Sequence, residues 1–292
     1  MIKNYIKLLR VPQWIKNLFV FVPLLFSKHF FDKNYFILSL AGFIIFCLTS
    51  SLVYIINDII DIEADRVHPV KKERPLPSGK ITKKQASITA FIIFLIIISS
   101  GMNFNPHFLA LIGTYLLLNL FYSLKWKHIV LVDIFCIAAG FMIRVIAGAY
   151  IIEVEISSWL LLTTMFISLF LAIMKRKSEF SNSQNIENSA NRKVLTHYAL
   201  DFTNQISTIA ASAVIICYAL YTVSQRTVAI FGSENLIYTT PFVVFGIFRY
   251  MYLVYMNQQG ENTTEILISD LPMIFNIIFY ILTTILIVYK IF

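Results

Sequence analysis

Charge is scarce in this chain. Only 14% of its 292 residues are Asp, Glu, Lys or Arg, and only sixteen are acids. A soluble domain carries about 25% charged residues, so an ordinary water-soluble globular protein is excluded. Cysteine is scarcer still, at three residues. Cys47, Cys136 and Cys217 all lie within apolar runs and none has metal-ligand spacing. Buried packing is their expected role, and nothing suggests a disulfide framework. No small-residue cleavage site follows the first apolar run, which is therefore read as a retained helix. Internal repeats and low-complexity tracts are also missing.

What fills the chain is apolar side chain: 58% hydrophobic, 15% aromatic. Runs of roughly 17–25 apolar residues recur along the whole length, as membrane-crossing helices require. A segment inside lipid must satisfy its backbone internally, which leaves helices or a closed barrel. Continuous Leu, Ile and Phe decide for helices. The expected spans are 17–31, 36–57, 86–102, 107–123, 128–151, 157–174, 204–224, 238–256 and 272–290, in one domain covering 1–292. The fold class is all-α: a polytopic membrane bundle of about nine helices.

The net charge of +8 belongs to one membrane face. Of 24 Lys and Arg, eighteen fall in the N-terminal tail and the loops after the second, fourth and sixth spans. The positive-inside rule puts that face, and the N-terminus, in the cytoplasm. This distribution is a topology signal, and no nucleic-acid partner is expected. The longest polar stretch, residues 175–201, reads as a cytoplasmic loop with some helix.

Four of the sixteen acids crowd into NDIIDIEAD, residues 57–65, at the end of the second span. On a continuous helix Asn57, Asp58, Asp61 and Asp65 share an arc of roughly 100°, with Glu63 pointing elsewhere. Pro69 should end the helix. Like charges at this spacing repel, and carboxylates at a helix C-terminus oppose its dipole. Such a stripe needs cations. Carboxylate and amide oxygens are the ligand set of Mg²⁺, which binds through a few carboxylates and substrate phosphates. A solvated helix end, or salt bridges to neighbouring lysines, is the alternative. Lys71, Lys72 and Arg74 follow at once, then Pro75, Pro77 and Gly79. Acids for a metal followed by cations for phosphate oxygens is how a diphosphate would be held.

Further on, Asp133 and Arg144 lie on one face of the expected fifth span, roughly 16 Å apart along the axis. Gly140, Ala147 and Gly148 are on the same side. Charges inside a span mark function by default, so the pair is read as lining a cavity; ion pairing with other helices is the alternative. The small residues are read as a close-packing surface.

The block NDxxDxxxD…HPxKxxRPxxSG resembles the first aspartate-rich motif of the UbiA superfamily of intramembrane prenyltransferases. The second aspartate-rich motif of ordinary members is missing. In its place stand YSLK, from Tyr122 to Lys125, and DxxxxxxGFxxRxxAGA, from Asp133 to Ala149. With RxxQWxKN (Arg10 to Asn17), KRxxE (Lys175 to Glu179) and a late segment carrying Arg249, Tyr250, Glu261, Glu265 and Asp270, these are similar to the branch that makes decaprenyl-phosphoribose.

That resemblance implies a Mg²⁺-dependent transferase that moves 5-phosphoribose from phosphoribosyl diphosphate (PRPP) to a polyprenyl phosphate. The product would feed cell-wall or surface polysaccharide synthesis. It implies Asn57, Asp58, Asp61 and Asp65 as metal ligands. Lys71, Lys72 and Arg74 would contact the diphosphate or the 5-phosphate. Lys125, Lys175 and Arg176 would take the remaining phosphates, with Lys16, Tyr122 and Glu179 joining them through their motifs. Asp133 and Arg144 would shape the cavity or orient substrate. The expected setting is the cell membrane, with homo-oligomers open. The rivals are an orthodox prenyltransferase acting on an aromatic acceptor, and a transporter. The missing second motif argues against the former. Acids gathered on one membrane face, and the absence of a repeat, argue against the latter.

Overall fold

The structure is a computed structural model that describes residues 2–184, 200–256 and 269–290. The described residues form helices joined by turns and short loops, with no strand among them. Among the described residues eight helices are long and apolar enough to cross a membrane, and a shorter apolar helix, Val11–Leu25, precedes them. The expected all-α, multi-pass architecture is what forms.

The described chain makes two compact units. The first comprises Met1–Leu24, Asp32–Lys127 and Ile143–Val154. It opens with α1 (Ile2–Leu8), a 3₁₀ helix (Val11–Phe21) and α2 (Val22–Leu25). Then come α3 (Lys33–Ile60), α4 (Ile62–Val67), α5 (Lys83–Gly101) and α6 (Pro106–Leu124). The second half of α7 (Val132–Ile151) completes it. The local sequence explains where these helices begin. Asp32 caps α3, Thr82 and Gln85 form a reciprocal capping box on α5, and Asn105 caps α6 ahead of Pro106. Each side chain satisfies backbone N–H groups that have no partner within the helix.

Apolar run length misplaced the first span. Residues 17–31 do not form one helix. Pro12 starts the 3₁₀ segment at Val11, Pro23 lies in the single turn of α2, and the helix is over by Leu25. At three residues per turn, positions i and i+3 eclipse, so Trp14, Asn17 and Val20 form one row. All three meet the rest of the unit. Trp14 donates to Ser51 Oγ at 3.0 Å and Asn17 donates to Ser50 Oγ at 3.1 Å. Val20 presents its carbonyl to Gly148, where an added Cβ would overlap the oxygen. At Gly148 the small-residue face of α7 is a close-packing surface.

The second unit comprises Leu25–Phe31, His128–Met142 and Glu155–Phe292. Its helices are the first half of α7, α8 (Ser158–Gln184), α9 (Leu200–Val223), α10 (Gln225–Phe231), α11 (Thr240–Met256) and α12 (Leu271–Val288). Helix α8 packs along α9, and α11 along α12. Their core gathers Ile134, Phe170, Val214, Tyr250 and Met273. Lys175 to Glu179, expected in a loop, are helical, because α8 runs on to Gln184. The rest of the polar stretch, residues 185–199, lies outside the described residues, as do Glu261 and Glu265.

Large apolar side chains remain outside. On α5, Phe91, Ile92 and Leu95 are exposed, a face that suits lipid better than water.

Gly148→Val should lower the thermal midpoint of the detergent-solubilised protein by about 1–3 kcal/mol equivalent. Gly113→Ala, at a helical site with nothing within 4 Å of an added Cβ, should hold or raise it by up to about 1 kcal/mol. Equal melting of the two variants would contradict the packing role of Gly148.

Candidate active site

The acidic segment departs from the continuous helix that its spacing suggested. Helix α3 stops at Ile60, Asp61 leaves helical geometry (φ −91°, ψ 9°), and α4 restarts at Ile62. Repulsion between neighbouring carboxylates and an opposing helix dipole act at this joint. The stripe is therefore divided. Asp58 and Asp65 come together, while Asp61 turns to a different cation.

Asp58 is 1% exposed and Asp65 4%. One nitrogen joins them: Arg74 Nη1 donates to Asp58 Oδ1 at 3.2 Å and to Asp65 Oδ2 at 2.6 Å. Lys71 Nζ lies 3.9 Å from Asp65, and Arg10 pairs with the same Asp58 oxygen that Arg74 contacts. Asp61 receives Lys127 Nζ on both oxygens, at 3.1 and 3.0 Å. Asn57 is half-buried in the last turn of α3, and Lys72 is exposed. The loop that delivers Arg74 is fixed by local chemistry. Pro75, Leu76 and Pro77 are buried, and Gly79 turns the chain at φ 73°.

Among the described residues no three His, Cys, Asp or Glu side chains converge as a metal cluster. Two carboxylates do converge, around one cationic nitrogen. Mg²⁺ is commonly held by one or two carboxylates plus substrate phosphates. The donor set of Asp58 and Asp65 fits that mode, at the point where Arg74 now bridges them.

His68 shapes the cationic loop. Its Nδ1 accepts from the backbone N–H groups of Val70 (3.2 Å) and Lys71 (3.3 Å). Burial, and then the nearby Lys71 ammonium, hold its pKa below the ordinary 6.5. Only neutral imidazole can accept at Nδ1.

Deeper in the same unit lies a polar cluster around Arg144. Its Nε donates to Asn17 Oδ1 at 2.8 Å and its Nη2 to Tyr115 Oη at 2.8 Å. The guanidinium also sits over the Tyr115 ring, 4.7 Å from the centroid. Lys16 is half-buried on the 3₁₀ helix, close enough for the charges of Arg144 and Arg10 to act on it. Tyr122 is half-buried near the end of α6, and Lys125, just past it, is exposed.

In the second unit Asp133 is fully buried, and Arg176, 1% exposed, donates to it through Nε at 2.6 Å. Arg176 also pairs with Glu179, and Lys175 lies 3.8 Å from Glu179. The next lysine, Lys177, sits over the Tyr255 ring. Asp133 and Arg144, which share a helical face, thus engage different partners. Arg249 makes a two-point contact with Asp270, at 3.1 and 2.8 Å, and Asp270 caps α12.

Periodicity missed Arg10, Lys127, Tyr115 and His68. Arg10 and His68 stand inside quoted motifs, so the signal existed without its meaning. Lys127 lies two positions from the chosen Lys125, in KWK.

Asp133→Asn should destabilise the protein by about 3 kcal/mol, because it strips a buried guanidinium of a buried counter-ion. Replacing both partners (Asp133→Asn with Arg176→Met) should restore part of that loss in a thermal melt. For His68 the folded state favours the neutral form. Its contribution is present above the ordinary pKa and lost as pH falls through the lowered one. Protection of the residue 70–74 amides against hydrogen exchange, relative to the intrinsic rate at each pH, should therefore fall as pH drops below the ordinary 6.5 and be low at all pH values in His68→Ala.

The profile of the UbiA prenyltransferase family matches residues 18–284. A decaprenyl-phosphate phosphoribosyltransferase of Corynebacterium glutamicum is 34% identical over 273 residues, covering 91% of this chain and 80% of that one. One from Mycolicibacterium smegmatis is 31% identical over 229 residues, covering 77% and 72%. Among solved structures, a UbiA homologue from Archaeoglobus fulgidus bound to GPP and Mg²⁺ superposes with a TM-score of 0.72. That match is 15% identical and covers 98% of this chain and 99% of that one.

Proposed function

The chain belongs to the UbiA prenyltransferase family, and on that premise we propose that it transfers 5-phosphoribose from PRPP to a polyprenyl phosphate, releasing diphosphate. The observation that carries this reading is the likeness, over most of the chain, to phosphoribosyltransferases that act on decaprenyl phosphate. The site geometry supports it: paired buried acids beside a cationic loop are what a metal-bound diphosphate requires. We place the reaction at the cytoplasmic face of the cell membrane, in one domain spanning the whole chain, as a step toward a surface glycan.

Asp58 and Asp65 would hold the Mg²⁺, with Asn57 and Asp61 beside them. When bound, the ion supplies charge neutralisation that makes diphosphate a good leaving group. Arg74, Lys71 and Lys72 neutralise phosphate oxygens through charge-assisted hydrogen bonds. The C1–O bond of PRPP breaks with its electron pair leaving on diphosphate, and an oxygen of the lipid phosphate forms the new bond to C1. A single displacement inverts the anomeric centre. The lipid phosphate is already ionised near neutral pH, so no strong general base is needed. A site that excludes water protects the activated sugar from hydrolysis.

The test is a detergent assay with Mg²⁺, polyprenyl phosphate and radiolabelled PRPP, following label into the organic phase. Labelled lipid that disappears with EDTA is the expected result. Transfer of a prenyl group from its diphosphate to an aromatic acid, with no labelled lipid, would overturn the substrate assignment and leave the metal site standing. Asp65→Asn should abolish turnover with helix content unchanged. Lys72→Ala should raise the KM for PRPP several-fold with little change in kcat.

A further inference from the structure

Among the described residues, the ion pairs at Asp58, Asp61 and Asp65 bring together more cations than carboxylates. Asp58, Asp61 and Asp65 face Arg10, Arg74, Lys71 and Lys127. Asp58 carries two of these cations on one oxygen. Arg74 already links Asp58 to Asp65, so Arg10 is the excess charge.

Arg10 is held there by unusual means. Its backbone is left-handed (φ 51°, ψ 45°), immediately before the 3₁₀ helix, a conformation that costs a non-glycine residue about 1–2 kcal/mol. The turn is fastened to α3, where Ser51 Oγ donates to the Leu9 carbonyl at 2.8 Å and accepts from Trp14. From this anchored turn the guanidinium lies over the Tyr54 ring, 4.6 Å from its centroid, and reaches Asp58. The Arg10 side chain is 22% exposed while that of Asp58 is 2%. The carboxylate is the fixed partner and the arginine the one with room to leave. Strain maintained by surrounding contacts is common where function requires it.

Building on the phosphoribosyl-transfer reading, we propose that Arg10 is a resident counter-ion that keeps bare metal out of the site and moves to the phosphates when metal and diphosphate arrive together. A bare divalent cation would enter a cluster that is already positive, against Arg10 at the same carboxylate. Diphosphate brings its own negative charge and gives Arg10 a better partner than Asp58. Arg10 thereby couples the two bindings: metal alone binds weakly, and metal with diphosphate binds well. This is a positioning role. It differs from a structural salt bridge in predicting that loss of Arg10 strengthens one binding event and weakens another.

The experiment is a titration of the full-length protein in detergent with Mn²⁺, reading the free ion by its EPR signal, with and without inorganic diphosphate. Wild type should take up Mn²⁺ weakly alone and more tightly with diphosphate. Arg10→Gln should bind Mn²⁺ alone about tenfold more tightly, since a cation close to the metal is gone, and should lose most of the gain from diphosphate. Arg10→Lys, which keeps the charge, should stay close to wild type. Should Arg10→Gln fail to fold, Tyr54→Leu removes the ring that steadies the guanidinium and should raise Mn²⁺ affinity in the same direction. Unchanged affinity for Mn²⁺ alone in these variants overturns the proposal, as does a parallel loss of both bindings. Absence of Mn²⁺ uptake by wild type even with diphosphate would instead remove the metal site on which the functional reading stands.

Discussion

A charge placed inside or at the end of a membrane helix has to be neutralised by another part of the chain, and this requirement organises the molecule. Leaving an ion buried without a partner costs several kcal/mol, a large part of any protein's stability. Asp58 and Asp65 are covered, so the 73–79 loop must fold back to deliver Arg74, and the segment before the 3₁₀ helix must deliver Arg10. Asp133 in α7 obliges α8 to present Arg176. Arg144 is engaged by Asn17 and the Tyr115 hydroxyl and ring, which draws the 3₁₀ helix and α6 to it. Polar contacts thus specify which helices meet, in an environment where apolar side chains discriminate poorly between one another and lipid.

Much of this was legible beforehand. Apolar run length marked the spans because continuous Leu, Ile and Phe runs of that length satisfy their backbone in lipid as helices. The acidic block and its basic sequel were visible because both occupy contiguous sequence. What periodicity could not show was any departure from 3.6 residues per turn. It kept Asn57 to Asp65 on one helix, whereas the chain breaks at Asp61; run length, for its part, placed the first span some six residues late. Pairing through space was equally hidden. Asp133 and Arg144 match on a helical wheel, yet Arg176 and Asn17 lie much nearer to their charges than the wheel could indicate. Arg10 stood at the head of a recognised motif and still went unassigned, since its partner is 48 positions away.

The carboxylate pair says little about what a diphosphate is attached to. A cation bridging two acids recognises phosphate oxygens in the same way whether the departing group leaves a sugar or an isoprenoid. Discrimination between the two has to come from elsewhere in the chain.

The tight winding of Val11–Phe21 also alters what a short segment can reach. A 3₁₀ helix rises about 2.0 Å per residue where an α-helix rises about 1.5 Å. Val11–Leu25 therefore extends roughly 28 Å at those rises, close to the thickness of about 30 Å of a bilayer's hydrocarbon core. An α-helix of the same residues would fall some 5 Å short of that length. Substitutions that rewound this segment as α-helix would draw in one end of it, and with it either the arginine turn or the proline turn, so the register of the polar row is tied to the depth at which the segment can sit in lipid.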